Sequence, residues 1–220
     1  MDAETRNTTK RLSWREAVRN VMYEATVAEA RQRSGMEEPP FNYRWEHVTA
    51  VVTLAQKLAE LTGADQEIVE AAAWLHDIRK EAKDRHPQEG AKFAREFLPQ
   101  TDFPPDKIES VAQAIADHMG LWREEPLTNL ESMVLWDADK LAKIGLTAVF
   151  HWTGMFLAEG KTHSLAELIE RGEGANWQEK TVASMHTEPA KRAAAARLQA
   201  YQALWASLKA ELAGDDLTTK

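Results

Sequence analysis

From residue 13 to residue 213 the apolar residues of this chain recur every three or four positions. Nowhere do they alternate over more than a few residues. That spacing puts them on one face of an α-helix, whereas a half-buried strand needs a period of two. The sequence therefore predicts an all-α protein. Helices are expected over 13–34, 43–61, 65–77, 87–98, 105–119, 128–150, 164–171 and 188–213, about eight in all. Ser13, with Glu16 three residues later, reads as a capping box at the first start. GMEEPPFN, residues 35–42, breaks the chain at a Pro-Pro pair, Gly145 weakens the helix over 128–150, and Gly214 stops the last one. The tail DDLTTK is expected to fray. The short loops suit a bundle of antiparallel neighbours. A chain of 220 residues is enough for one domain.

Composition excludes several chemistries. There is no cysteine, so disulfides, thiolate metal sites and thiol nucleophiles are ruled out. The net charge of −8 argues against a broad nucleic-acid-binding face. MDAETRNTTKRLS has no apolar core of a signal peptide. IGLTAVFHWTGMFLA, residues 144–158, is too short and too interrupted to span a bilayer. A cytoplasmic protein without membrane contact is the expectation. GxGxxG and GxxxxGK[ST] loops are missing, which leaves kinase and dinucleotide readings without support.

Against this background several polar residues fall on apolar stripes. His47 precedes Val51, Leu54 and Leu58 at helical spacing. His76 follows Val69, Ala72 and Ala73, and His118 follows Val111 and Ile115. A single inward histidine is usually a hydrogen-bonded core group. Three on three helices, one of them next to Asp77, are costly to bury without a cation. A divalent metal would use these same groups as ligands. A fourth segment, LWDADKLAKIG, offers Asp137 and Asp139. Periodicity alone favours Asp137 as the inward acid, and the pattern leaves the choice open.

In order, His47, the pair His76-Asp77 and Asp139 resemble the signature of the HD superfamily of metal-dependent phosphohydrolases, of the small bacterial HD hydrolase type. The resemblance covers about residues 40–150. It implies a single domain, 1–220: an HD helical bundle with an extra N-terminal helix in 1–39 and a long C-terminal helix in 151–220. HDIRK resembles the form in which the lysine, here Lys80, approaches a phosphate. RWEH resembles the segment of the deoxynucleoside triphosphate hydrolases whose arginine, here Arg44, contacts phosphate. DADK resembles the segment in which the second acid, Asp139, binds metal and the next lysine, Lys140, contacts phosphate; Asp137 then stands behind the ligands. His86 and His118 match in order the histidines that hold a second metal in some members and act as acid or phosphate donor in others. Asp117 stands where a doubled histidine would have favoured two metals.

The resemblance implies one divalent transition metal, Mn, Fe, Ni, Co or Zn, held by His47, His76, Asp77 and Asp139, with His86 and His118 available for a second. It also implies catalytic roles for Asp77, His118, His86 and Lys80. Arg44, Lys80 and Lys140 would bind a small phosphorylated substrate, expected to be a nucleotide, and Lys143 is a weaker candidate. Trp122, just past His118, is expected to touch the organic part of the substrate. Trp45, Trp74 and Trp136 read as packing residues. Alternative readings are an HD-fold di-iron oxygenase and a non-enzymatic helical binding module. The Ala-rich helix 188–213 could support the latter, or a homodimer. His151 and His163 look incidental.

Overall fold

The computed structural model describes residues 13–174 and 176–218; residues 1–12, where no leader was expected, lie outside them. Ten α-helices and no strand occur among the described residues: α1 Trp14–Ser34, α2 Tyr43–Thr62, α3 Gln66–Leu75, α4 His86–Phe97, α5 Ile108–Asp117, α6 Leu130–Leu141, α7 Leu146–Ala158, α8 Leu165–Glu173, α9 Trp177–Ala183 and α10 Glu188–Ala213. The starts follow from side-chain caps. Ser13 and Glu16 form the expected capping box on α1. Asn42 accepts from the Trp45 amide at 3.1 Å, and its amide nitrogen donates to Thr26 on α1. Asp65 caps α3 through the Glu67 and Ile68 amides.

Helices α2, α3, α5 and α6 form the middle of the bundle, with α4 against α5 and α1 across α2 and α3. Val48, Val51, Ala72, Ile115 and Leu135 fill that middle. One apolar cluster runs on from it into Trp14, Val18 and Met22 of α1 and into Ala190 and Ala194 of α10. A smaller cluster, Val149, Ile169, Tyr201 and Trp205, ties α7, α8 and α10 together. The inner face of the Ala-rich helix is thus used within its own chain. The tail expected to fray winds into a short 3-10 turn over Asp215–Thr218.

Two expectations need correction. The helix expected over 128–150 is two helices, α6 and α7, which meet at 61°. Gly145 makes the break, with φ +74° and ψ −155°, a conformation essentially reserved for glycine. Its amide donates to Gln178 of α9 at 3.1 Å, and Arg197 of α10 donates to the Leu141 carbonyl. The corner is therefore set by distant side chains. The second correction is α9, which the apolar pattern did not reveal because it has only seven residues. Among the described residues no single helix is long and apolar enough to cross a membrane; α6 and α7 pass such a test only as a bent pair.

Candidate metal centre

The helices deliver the histidines at their ends as much as on their faces. His76 is the residue after α3, and His118 is the residue after α5. In each case Nδ1 bonds the carbonyl three residues back: Ala73 at 2.8 Å and Ile115 at 2.6 Å. A carbonyl can only accept, so Nδ1 carries the proton and Nε2 presents a lone pair to the interior. His86 repeats the device, with Nδ1 at 2.5 Å from the Lys83 carbonyl. Lys83 itself has φ +54°, in the left-handed region rarely adopted by a lysine. The strained residue turns its carbonyl toward His86. His47 lies on α2, its ring stacked on Tyr43 with centroids 6.0 Å apart.

These nitrogens converge on two acids. His47 Nε2 lies 3.0 Å from Asp139 Oδ1 and 3.9 Å from Asp77 Oδ2. His76 Nε2 lies 3.6 Å from Asp77 Oδ2 and 3.8 Å from Asp139 Oδ1. His86 and His118 approach the other oxygen of the same acid, Asp77 Oδ1, at 3.3 and 3.7 Å. Two groups able to hold a metal ion result, His47–His76–Asp77 and Asp77–His86–His118, with Asp77 common to both.

The donor atoms fit a cation better than they fit one another. Both nitrogens of His47, His76 Nε2 and Asp139 Oδ1 are buried and make no well-aligned hydrogen bond, although Asp139 Oδ1 stands beside the Lys143 ammonium. His86 Nε2 and His118 Nε2 face each other at 3.1 Å, although the Nδ1 proton of each ring is already committed to a carbonyl. Ligands about 2.1 Å from a transition metal stand roughly 3.0–3.4 Å apart in octahedral or tetrahedral shells, which is close to the shorter separations seen here.

The protonation states agree. Burial pushes the His47 imidazole down to about 4, with Lys143 adding to the effect. Burial also lowers His76 and His118. All three are therefore neutral donors at pH 7. Burial by itself is the largest influence and would raise both acids, but Arg44 together with His76, His118 and His86 outweighs it at Asp77, and Lys140, Lys143 and His47 together outweigh it at Asp139. Both carboxyls are held well below the usual range.

The cations expected to meet phosphate ring this cluster. Arg44 is 7% exposed; it bonds Asp77 through Nη1 and clasps Glu29 of α1 through Nε at 3.0 Å and Nη2 at 3.3 Å. Lys80 Nζ reaches Asp77 Oδ1 at 3.0 Å and His86 Nε2 at 3.1 Å. Lys140 is buried between Asp139 and the His118 carbonyl, which it meets at 2.9 Å, and burial lowers its ammonium to about 8. Lys143 Nζ stands 2.5 Å from Asp139 Oδ1. A cavity of about 300 Å³, lined by Lys80, His86, His118, Asp139, Lys140 and Lys143, opens onto the cluster.

Three placements differ from the sequence reading. Asp137 does not stand behind the ligands. One of its oxygens accepts from the His186 amide at 2.9 Å, and the other from the Thr187 amide and hydroxyl at 2.8 and 2.7 Å, so it anchors the start of α10. Trp122 is 44% exposed and packs under the Lys180 ammonium instead of lining a cavity at the centre. His151 is not incidental: it lines a cavity beside the centre and meets Tyr43 edge-on. Sequence reasoning also missed Glu29 and Tyr43; Tyr43 had the weak signal of adjoining Arg44. Trp45, Trp74 and Trp136 pack as expected, Trp136 being fully buried.

Comparison with known proteins bears on this geometry. The HD domain family matches residues 44–144, the stretch that carries His47, His76, Asp77, His86, His118 and Asp139. Similar solved structures include one described as a predicted HD superfamily hydrolase from an uncultured Thermotogales bacterium. It is 24% identical over 94% of this chain and 95% of its own, with a TM-score of 0.59. Bacillus subtilis YpgQ in complex with ADP is 18% identical over 90% of this chain and 94% of its own, TM-score 0.64. An HD-superfamily hydrolase from Bacillus thuringiensis is 18% identical over 90% and 97%, TM-score 0.64. At these identities the likeness is one of fold. A comparison with curated proteins gave no match.

Proposed function

Since this chain belongs to the HD-domain superfamily, we propose that it is a metal-dependent phosphohydrolase that cleaves a phosphate ester or anhydride of a small molecule, a nucleotide, with water as the nucleophile. The observation that carries this reading is Asp77, one carboxylate shared by two imidazole pairs and touched by both Arg44 and Lys80. His47, His76, Asp77 and Asp139 would hold the metal, and His86 with His118 would hold a second where one binds. A divalent metal bound there supplies a Lewis acid and an acidified water at neutral pH.

The rest is done by the chain's own side chains. Arg44 offers a flat, fixed pair of N–H groups, clasped from behind by Glu29, and suits two phosphoryl oxygens at once. Lys80, Lys140 and Lys143 are point charges against the remaining negative charge. His86 holds its Nε2 toward Lys80, His118 and Asp77, where the ring can take a proton and return it to a leaving oxygen. Burial of the cluster keeps bulk water from screening these charges. A further support for the nucleotide is that a protein of this fold, B. subtilis YpgQ, is known in complex with ADP.

The test is elemental analysis of the purified protein, followed by a panel of nucleotides and sugar phosphates with Mn²⁺, Fe²⁺, Co²⁺, Ni²⁺ and Zn²⁺. Release of phosphate or pyrophosphate that is abolished by a chelator and restored by metal is the expected result. A metal-free protein that turns over no phosphorylated compound with any of these ions would refute it.

A further inference from the structure

Two cavities of about 530 Å³ each open beside the candidate metal centre, and their walls differ. One lies against α1 and includes Glu29, Arg33, Arg44, Arg79, Lys80 and Glu81; it is charged and has no aromatic ring. The other lies between the HD helices and the helices that follow residue 144. Four aromatic side chains, Tyr43, Trp152, Trp177 and Tyr201, line it, and no carboxylate among the described residues does.

The second cavity is continuous with the chemistry. Lys143 and Leu121 line both it and the smaller cavity that opens onto His86, His118 and Asp139. Tyr43, on its wall, stacks on the ligand candidate His47. Two polar groups stand on its walls, one buried without a hydrogen bond among the described residues and one an exposed cation. His151 Nδ1 is buried without a hydrogen bond. The Arg171 guanidinium lies over the rings of Trp152 and Phe156, 5.4 and 5.0 Å from their centroids, and meets no carboxylate. Flat apolar walls with a few accessible polar groups are what a planar heterocycle requires.

We propose that this cavity is the nucleoside-binding subsite, in which the base of a phosphorylated substrate stacks against Trp152 and Tyr201 while its phosphate lies beyond Lys143 at the metal centre. This assignment rests on the phosphohydrolase reading for the phosphate and on its own geometry for the base. Stacking accepts any base, and His151 and Arg171 are the groups available to hydrogen-bond its edge. Residues 146–205 thereby acquire a function, as the part of the chain that chooses the organic half of the substrate. The volume suits one nucleoside, within the range of ordinary ligand sites.

The full-length protein can be photolabelled with 8-azidoadenosine and with 4-thiouridine, neither of which carries phosphate, and the labelled peptides mapped by mass spectrometry. Label on Tyr43, α7, α9 or α10 is expected. Label confined to α1 and residues 80–85, or no label above background, would overturn the assignment. In parallel, Trp152→Ala should weaken binding of adenosine, guanosine, cytidine and uridine by roughly 5- to 150-fold. It should lower the release of phosphate from inorganic pyrophosphate or tripolyphosphate far less. An equal loss with these base-free compounds would mark Trp152 as merely structural and count against the subsite. If the variant does not fold, the labelling of the native protein still decides. Nucleosides that label the cavity of a protein inactive on every phosphate would sink the hydrolase reading alone. Nucleotide turnover without labelling there would sink the subsite alone.

Discussion

Arg44 is bonded to Asp77, the acid that both imidazole groups share, and the two residues lie thirty-three positions apart, one on α2 and the other in the turn after α3. The guanidinium does not rest on that acid alone. Glu29, on α1 and outside the HD domain, holds its far side through two bonds. The N-terminal helix thus aims the side chain expected to meet phosphate.

Glu29 is therefore a positioning residue. Glu29→Gln keeps the size but weakens the charge-assisted clasp, and a charged hydrogen bond is worth about 1.5–3 kcal/mol. The expected outcome is a rise in KM for the phosphorylated substrate of roughly tenfold, with kcat and metal content nearly unchanged. Steady-state kinetics with elemental analysis checks this. An equal fall in kcat with loss of metal would mean that Glu29 supports the ligands instead.

Asp77→Ala removes the one acid common to both groups. Metal content should fall to background and turnover with it. The fold should survive, because Arg44 keeps Glu29 as a partner and the apolar middle of the bundle is untouched. Circular dichroism reports the fold and elemental analysis the metal; a variant with normal turnover would remove Asp77 from the site.

The acids two residues apart on α6 should separate cleanly. Asp139→Asn is expected to lose most of the metal, since it changes the oxygen that faces His47 and His76. Asp137→Asn is expected to keep its metal and lose stability. It disturbs the bonds to His186 and Thr187 that fix the start of α10, at a cost of about 1–3 kcal/mol. Metal analysis and thermal melting of both variants give the answer, and the reverse pattern would exchange their roles.

This pair also shows where sequence reading stops. The stripes on α2 and α5 are real: each helix has one buried face, so His47 and His118 could be read as inward. Helix α3 is buried all round from Ile68 to Leu75, so His76 at its end is inward whichever stripe is chosen. Helix α6 is buried on almost every side from Ser132 to Leu141. A helix enclosed all round has no single inner stripe, and periodicity chose Asp137, which is indeed buried but faces α10. The resemblance of DADK to a known segment picked out Asp139. His86 could be ordered by motif, yet its approach depends on the unusual backbone of Lys83, which no pattern announces. The aromatic cavity was illegible for a simpler reason. Its walls come from residues 43, 121, 143, 152, 171, 177 and 201, which only the folded chain brings together.

The corner between α6 and α7 gives the last prediction. Gly145 has a backbone conformation that other residues scarcely adopt, and a Cβ added there would stand 2.8 Å from Arg197 Cβ. Gly145→Ala should therefore cost about 1–3 kcal/mol, or roughly 3–10 °C in Tm for a chain of this size. The corner also sets the direction in which α7 leaves Lys143 and carries His151 and Trp152 to the cavity. If the corner is what joins the metal centre to the aromatic cavity, Gly145→Ala should lower turnover of nucleotides more than that of base-free phosphates. Thermal melting and the ratio of the two rates measure both effects. An alanine variant as stable as the parent would mean that the corner relaxes without strain, and that Gly145 does not define it.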